Sequence, residues 1–396
     1  MRVLLLLAAL LPAVSWADLS QPGPYAAGWQ RVSVARPNST TFSAYLFYPA
    51  LARGSGAAYR SDGAPYPAIS FGHGFLQPVT RYQSTLEHLA THGYFVIASE
   101  SEGSLFPSHA NFANDMRLCL TWLEQQNGNP ASWLFGQLAI DRFGLSGHSM
   151  GGGCSLLAAS GDSRIRAVAN LAAAETNPSA IAAMPGIRAP VSLISGSSDT
   201  IVPVSTNGQR MYDAGFAPKT LPVIQGGWHC GFEDSSSFGC DSGPLSRAVQ
   251  LQITRRLLTE FFNLYLKGDA TLAANVWSAP NSAEVVRQSN PGLVVQPSSA
   301  EVQIIKKSRG EIALQLANTA REPAHYAAQA ANSGWLVSIS PNPARSLSPG
   351  ESQTIYVKAV YPSDTEPLGN LVEIDFYATS DPLTRVRVRL LLKWPD

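Results

Sequence analysis

Three residues of types that together cleave acyl bonds occur in the order Ser149, Asp199 and His229, each soon after an apolar run. Ser149 stands at the centre of Gly147-His148-Ser149-Met150-Gly151, with Phe143-Gly144-Leu145 before it and a small-residue stretch after it. G-x-S-x-G between a strand and a helix is a nucleophile elbow: the serine occupies a strained turn, and a side chain at Gly147 or Gly151 would strike neighbouring backbone. Its hydroxyl is pushed toward solvent. The N–H of Met150 falls in the first helical turn, where donors are unpaired and the helix dipole is positive, so it suits an oxyanion. A histidine then takes the serine proton, and a carboxylate holds the imidazole in the required tautomer. Asp141 and Glu175 lack the position of Asp199, which follows a strand-like run and has Pro203 downstream. His73, His88, His92, His109 and His148 all come before the acid; His229 follows both Ser149 and Asp199 and comes after a strand-like run. No metal or other cofactor is expected, because the cysteines form no C-x-x-C pair and the histidines are scattered.

These residues need strands to hold them. Gln30–Ala35 and Thr41–Tyr48 alternate apolar and polar residues and read as an antiparallel pair. Tyr66–Phe71 and Tyr94–Ala98 are nearly unbroken apolar runs, as in strands buried on both faces. Leu138–Leu145 carries the elbow, and Arg164–Ala172, Val191–Ser195 and Thr220–Gln225 follow. Helical spacing lies between them in Thr80–His92 and Ala110–Gln125, and Arg247–Lys267 closes the series with Val249, Ile253, Leu257, Phe261 and Leu264 on one stripe. This alternation implies a mostly parallel sheet covered on both faces, with ligands at the carboxyl ends of its strands. Ala172 to Ala189 leaves room for only a short helix, so the cleft is expected to be open.

At 396 residues the chain suits one large and one small domain. Charged residues make up 14%, with 28 basic and 28 acidic, so no electrostatic case for nucleic acid exists. Met1-Arg2, the apolar run Val3–Ala13 and Ser15-Trp16-Ala17 have the pattern of a secretory leader cut after Ala17. No later apolar run approaches the roughly 20 residues of a membrane span, so no transmembrane anchor is expected. The expected location is secreted or periplasmic, and the expected state a monomer. An oxidising compartment permits disulfides among Cys119, Cys154, Cys230 and Cys240. Cys230 with Cys240 closes a short ring, and Cys119 with Cys154 would join neighbouring helices. The alternative for the second pair is two buried free thiols.

Gly147–Gly153, Ser197-Ser198-Asp199-Thr200-Ile201-Val202-Pro203 and Gly72-His73-Gly74-Phe75 resemble the chlorophyllase, dienelactone hydrolase and bacterial cutinase branch of the α/β-hydrolases, which includes polyester-degrading enzymes. The resemblance spans residues 30 to 267. It implies an α/β-hydrolase fold with Ser149 as nucleophile, His229 as base, Asp199 as its orienter and the N–H groups of Phe75 and Met150 as oxyanion hole. One departure is visible. Polyester-degrading cutinases usually carry a tryptophan in the loop after the strand that follows the elbow helix, and here that loop is Leu171-Ala172-Ala173-Ala174-Glu175-Thr176-Asn177.

Residues 269–299 shift toward Ala, Asn, Ser and Pro and read as a partly structured linker between a catalytic domain, 18–268, and a domain at 300–396. The latter holds short alternating runs at 301–306, 311–318, 325–330, 335–339, 353–359, 371–378 and 384–392, which suggests an immunoglobulin-like β-sandwich. It loosely resembles the modules appended to bacterial secreted hydrolases. Arg385, Arg387 and Arg389 share one strand face, either as charges protecting an exposed strand or as a patch for acidic polymer. The sequence thus describes a secreted serine hydrolase of carboxylic esters acting through an acyl-enzyme, its substrate small or polymeric. The alternatives are a polyester or cutin depolymerase and, from another class, a surface-binding protein with an inert hydrolase domain.

Overall fold

A computed structural model describes residues 18–303, 309–332, 335–360 and 371–393; the expected leader, 1–17, lies outside the described residues. The chain opens with β1 (Ala26–Ala35), β2 (Thr41–Ala50), the two-residue β3 (Gly54–Ser55) and β4 (Tyr66–Gly72). Then come α1 (Gln83–Thr91), β5 (Phe95–Ser99), α2 (His109–Gly128), β6 (Leu138–His148), α3 (Met150–Ala159) and β7 (Ile165–Leu171). The short α4 (Ala180–Ala183), β8 (Val191–Gly196), α5 (Gly208–Ala214), β9 (Lys219–Ile224) and the long α6 (Arg247–Leu266) complete the series.

The apolar runs become the middle of one sheet, ordered β10-β9-β8-β7-β6-β4-β5-β2-β1-β3, with parallel pairing from β5 through β9. Here β10 is Val285–Asn290, described below. Every residue of β4 and β5 is buried, as the unbroken apolar runs require. Two cores flank the sheet. Phe112, Met116 and Leu123 of α2 and Leu156 of α3 fill one face, and Leu86 and Leu89 of α1 with Leu257, Phe261 and Phe262 of α6 fill the other. Val249 departs from the expected stripe: it lies in the first turn of α6 and is 40% exposed. Ser108 and Ser246 cap α2 and α6 by accepting the N–H groups of Asn111 and Val249, which fixes where these helices begin.

The disulfide expected between Cys119 and Cys154 does not form. Both thiols are buried in the apolar core between α2, α3 and the sheet, where burial holds them protonated and pushes Cys154 up to about 12. Cys230 and Cys240 are joined.

The stretch 269–299 is more structured than a linker. It holds α7 (Ala273–Trp277), β10 (Val285–Asn290) and β11 (Leu293–Gln296). Strand β10 pairs antiparallel with β9 as the edge of the large sheet, and Val285 is buried in the same core as α6. Beyond it lie β12 (Ser299–Gln303), β13 (Arg309–Asn318), β14 (Tyr326–Asn332), β15 (Leu336–Ser340), β16 (Ser352–Val360), β17 (Leu371–Ala378) and β18 (Asp381–Lys393). They form two four-stranded sheets, β11-β13-β16-β15 and β12-β18-β17-β14, over a shared core of residues such as Leu314, Ile355, Ile374 and Val388.

The arginine row of β18 meets its counter-charges directly across the ladder, with Arg387 opposite Asp375 and Arg389 opposite Glu373. Arg387 binds Asp375 at 2.7 and 3.0 Å, Arg389 reaches Glu373 at 3.0 Å, and Arg385 lies over the Tyr377 ring. These charges are matched within the sheet. Tyr265 of α6 connects the two parts of the chain, sharing a hydrogen bond with Thr384 and taking the indole N–H of Trp277.

Candidate active site

The elbow forms because its glycines leave no room for anything else. A Cβ on Gly147 would fall onto the carbonyl of Gly151, and one on Gly151 onto the carbonyl of Gly72. The start of α3 is thereby pressed against the ends of β6 and β4. Between them Ser149 takes φ 55° and ψ −121°, a left-handed conformation costly for a non-glycine residue and held by three bonds: its N–H donates to Leu171 O at 3.0 Å, and its carbonyl accepts from Gly153 at 3.0 Å and Ala174 at 2.9 Å. Ser149 is half-buried and Met150 follows as the first residue of α3.

Asp199 comes three residues after β8 and is fully enclosed. One carboxylate oxygen accepts the N–H groups of Ile201 and Val202 at 2.9 and 2.6 Å, and the other lies 2.8 Å from His229 Nδ1. The acid is therefore fixed by its own loop before it meets the imidazole. His229 opens a 3₁₀ turn, His229–Phe232, shortly after β9. Asp241 secures that turn: its carboxylate accepts the N–H groups of His229 at 2.9 Å and Cys230 at 3.0 Å, and reaches Thr200 of the Asp199 loop at 3.3 Å.

Ser149 and His229 line the same cleft, of about 280 Å³. Its wall is the loop closed by Cys230–Cys240, and its rim carries Phe75, Leu76, Ile201 and Phe238, all strongly exposed for apolar residues. Only α4 and a single 3₁₀ turn occupy the span from Ala172 to Ala189, so no large cap covers the rim there. A larger cavity of about 590 Å³ lies elsewhere, lined by Arg166, Arg188, Tyr265 and Leu383, and contains none of these residues. Cys230, Glu233 and Cys240 offer atoms grouped closely enough for a metal, but both sulfurs are engaged in the disulfide.

The structure thus brings Ser149, Asp199 and His229 to one cleft and sets Phe75 on its rim, while Cys119 and Cys154 lie in the core. It also adds residues that motif spacing did not single out. In the cleft wall His148 packs its ring 4.5 Å from that of His229, with Nδ1 2.9 Å from Tyr82 Oη. Tyr82 Oη accepts the N–H of Gly74 at 3.0 Å, so its own proton is free for His148. Burial holds His148 well below the usual imidazole range. Glu233 Oε1 lies 3.8 Å from His148 Nδ1, and burial pushes its carboxyl up to about 7. The elbow histidine was visible in the motif, but Asp241 and Glu233 come from a loop without periodicity, where only the flanking cysteines give a signal.

Among the described residues no helix is long and apolar enough to cross a membrane. A family model described as PET hydrolase-like, PETase, matches residues 12–238. No curated protein matches the chain.

Proposed function

The chain belongs to the PET hydrolase-like family, and from that premise we propose that it is a secreted serine hydrolase that cleaves carboxylic esters, polyesters among them, through Ser149, His229 and Asp199. The observation that carries this reading is the 2.8 Å contact between Asp199 and His229 Nδ1 in the cleft that also holds the strained Ser149.

With Nδ1–H donated to Asp199, His229 Nε2 is unprotonated and takes the Ser149 proton as Oγ attacks the ester carbonyl. The developing oxyanion is assigned to the N–H groups of Phe75 and Met150, the latter at the positive end of α3. Collapse expels the alcohol, which leaves with the proton from His229, and Ser149 remains acylated. Water then attacks the acyl carbonyl while His229 takes its proton; breaking the Ser149 ester bond releases the acid and returns the proton to Oγ.

The apolar rim of Phe75, Leu76, Ile201 and Phe238 favours a polymeric substrate, since an exposed apolar border suits a chain longer than the 280 Å³ cleft can hold. The loop Leu171–Asn177 supplies no tryptophan, so an aromatic ring in the substrate would find its apolar contacts on that rim instead. The β-rich region is assigned as an immunoglobulin-like accessory module, and residues 1–17 as its export signal. Fluorophosphonate labelling tests the assignment: the wild-type chain is expected to be labelled, and Ser149→Ala to be unlabelled with turnover lower by several orders of magnitude. Absence of labelling in the wild type would leave the inert surface-binding protein. Release of soluble acid from a polyester film, set against p-nitrophenyl ester cleavage, separates a depolymerase from an esterase of small substrates.

A further inference from the structure

Glu233 has no evident structural purpose. Its side chain is 2% exposed, Oε2 has no hydrogen-bond partner, and it lines the cleft that contains Ser149 and His229. A buried carboxylate oxygen left unpaired is costly, and such groups are rare in native interiors. His148, whose Nδ1 lies 3.8 Å from Oε1, offers no compensation: that nitrogen is shared with Tyr82 Oη at 2.9 Å, and burial keeps the ring neutral.

Neither arginine facing Glu233 hydrogen-bonds its carboxylate, although Arg247 Nε is buried without a partner of its own. Arg81 binds Ser235 and Ser236, and Arg247 binds Ser236 and stacks over Trp228. Asp241 adds repulsion, and Asp234 is held by Ser84. His229 lines the same cleft, and its charge acts on Glu233 as the largest attraction opposing burial, ahead of Arg81 and Arg247. In the reaction proposed above, His229 gains positive charge transiently, while acyl transfer is under way.

We propose, building on that reading, that Glu233 is a positioning residue acting through His229: its ionised carboxylate is a second counter-charge, beside Asp199, for the imidazolium formed in acyl transfer. Full activity then requires two deprotonated groups, His229 to accept a proton and Glu233 to stabilise the result. Because Glu233 is buried in the wall of the cleft, such a charge acts more strongly than in bulk solvent. Burial places Glu233 ionisation at about 7, so its charge is lost as pH falls through that value.

The test is the pH dependence of kcat/KM for a soluble ester in wild type, Glu233→Gln and Glu233→Asp, with the full chain. In wild type the acid limb is expected to be steeper than one ionisation allows. In Glu233→Gln it should return to a single-proton limb, with kcat/KM at pH 8 lower by about tenfold, the effect of roughly one pK unit at the base. Glu233→Asp, which keeps the charge, should recover part of both. A Glu233→Gln profile identical to wild type overturns the proposal, as does a uniform loss at every pH, which marks a merely structural role. Should Glu233→Gln fail to fold, the wild-type limb decides, and a single-proton slope overturns the idea. Fluorophosphonate labelling of wild type is run alongside: a labelled enzyme with an unaltered variant profile rejects Glu233 alone, whereas no labelling rejects the triad itself.

Discussion

Asp241 accepts the backbone N–H of His229 at 2.9 Å, so the residue that carries the imidazole is anchored by a carboxylate that never meets the imidazole's own acid. The same side chain reaches Thr200, two loops sharing one anchor. Asp241→Ala removes the acceptor for the His229 and Cys230 N–H groups and frees the turn. The expected result is a drop in kcat of roughly tenfold to a hundredfold with little change in KM, since a displacement of about 1 Å at a reacting group has this scale of effect. Steady-state kinetics on a soluble ester checks it.

Gly151 presses against Gly72, and a methyl group there would overlap the Gly72 carbonyl. Backbone on both sides cannot give way as a flexible side chain would. Gly151→Ala is expected to lose about 1–3 kcal/mol of stability and most activity, because the N-terminus of α3 must back away from β4. Melting and residual turnover measured together would show both losses; an active variant of normal melting temperature contradicts the close approach.

Glu233 also has a consequence for stability. Its folded ionisation, about 7, is raised above the ordinary 4.5, so the folded chain binds the proton more tightly than the unfolded one. Stability from this group is greatest below about 4.5 and falls as pH rises through about 7. Relative to wild type, Glu233→Gln is therefore expected to melt higher at pH 8 and nearly the same at pH 4.5. Thermal scans at the two pH values measure the difference, and a variant that melts lower at pH 8 contradicts the buried, ionised carboxylate.

The cysteines divide into two chemical populations. In the folded, oxidised chain a thiol reagent should find no reactive group, because Cys119 and Cys154 are buried and Cys230 is joined to Cys240. Unfolding without reductant should release two thiols. Replacing Cys230 and Cys240 by alanine opens the short ring beside His229; the loop-closure contribution is about 3 kcal/mol, roughly 5–10 °C of melting temperature, and the loosened cleft wall should reduce turnover as well.

Truncation tests where the catalytic unit ends. A chain stopped after Glu284 lacks β10 and exposes the edge of β9 and the cavity left by Val285. It should melt lower and aggregate more readily than one stopped after Pro291, which keeps the edge strand. Both lose the Tyr265–Thr384 contact, so the difference between them reports β10 alone.

The parts of this molecule that follow a period were legible in its sequence. Leu138–Leu145, Val191–Ser195 and Thr220–Gln225 announced strands, and the residues just beyond them were Ser149, Asp199 and His229. What escaped was fixed by tertiary context. Val285–Asn290 has a single buried apolar anchor and reads as loop until β9 is there to pair with it. Cys119 and Cys154 lie on adjacent helices as expected, yet adjacency does not set where a thiol points, and the apolar core took both. Glu233 and Asp241 belong to a loop shaped by a disulfide, where spacing carries no information about which backbone N–H or ring a carboxylate will meet.

The contact between Gly72 and Gly151 divides the cleft into a floor and a border with different evolutionary freedom. The floor joins the ends of β4 and β6 to the start of α3, and its glycines admit no side chain, so drift there is expected to cost stability and activity rather than alter the enzyme's taste. The border is made of Phe75, Leu76, Ile201 and Phe238, exposed side chains on loops. Substitutions at those positions can accumulate at little thermodynamic penalty. A lineage that changes diet, or a laboratory selection for a new plastic, would therefore be expected to rewrite the border and leave the floor untouched.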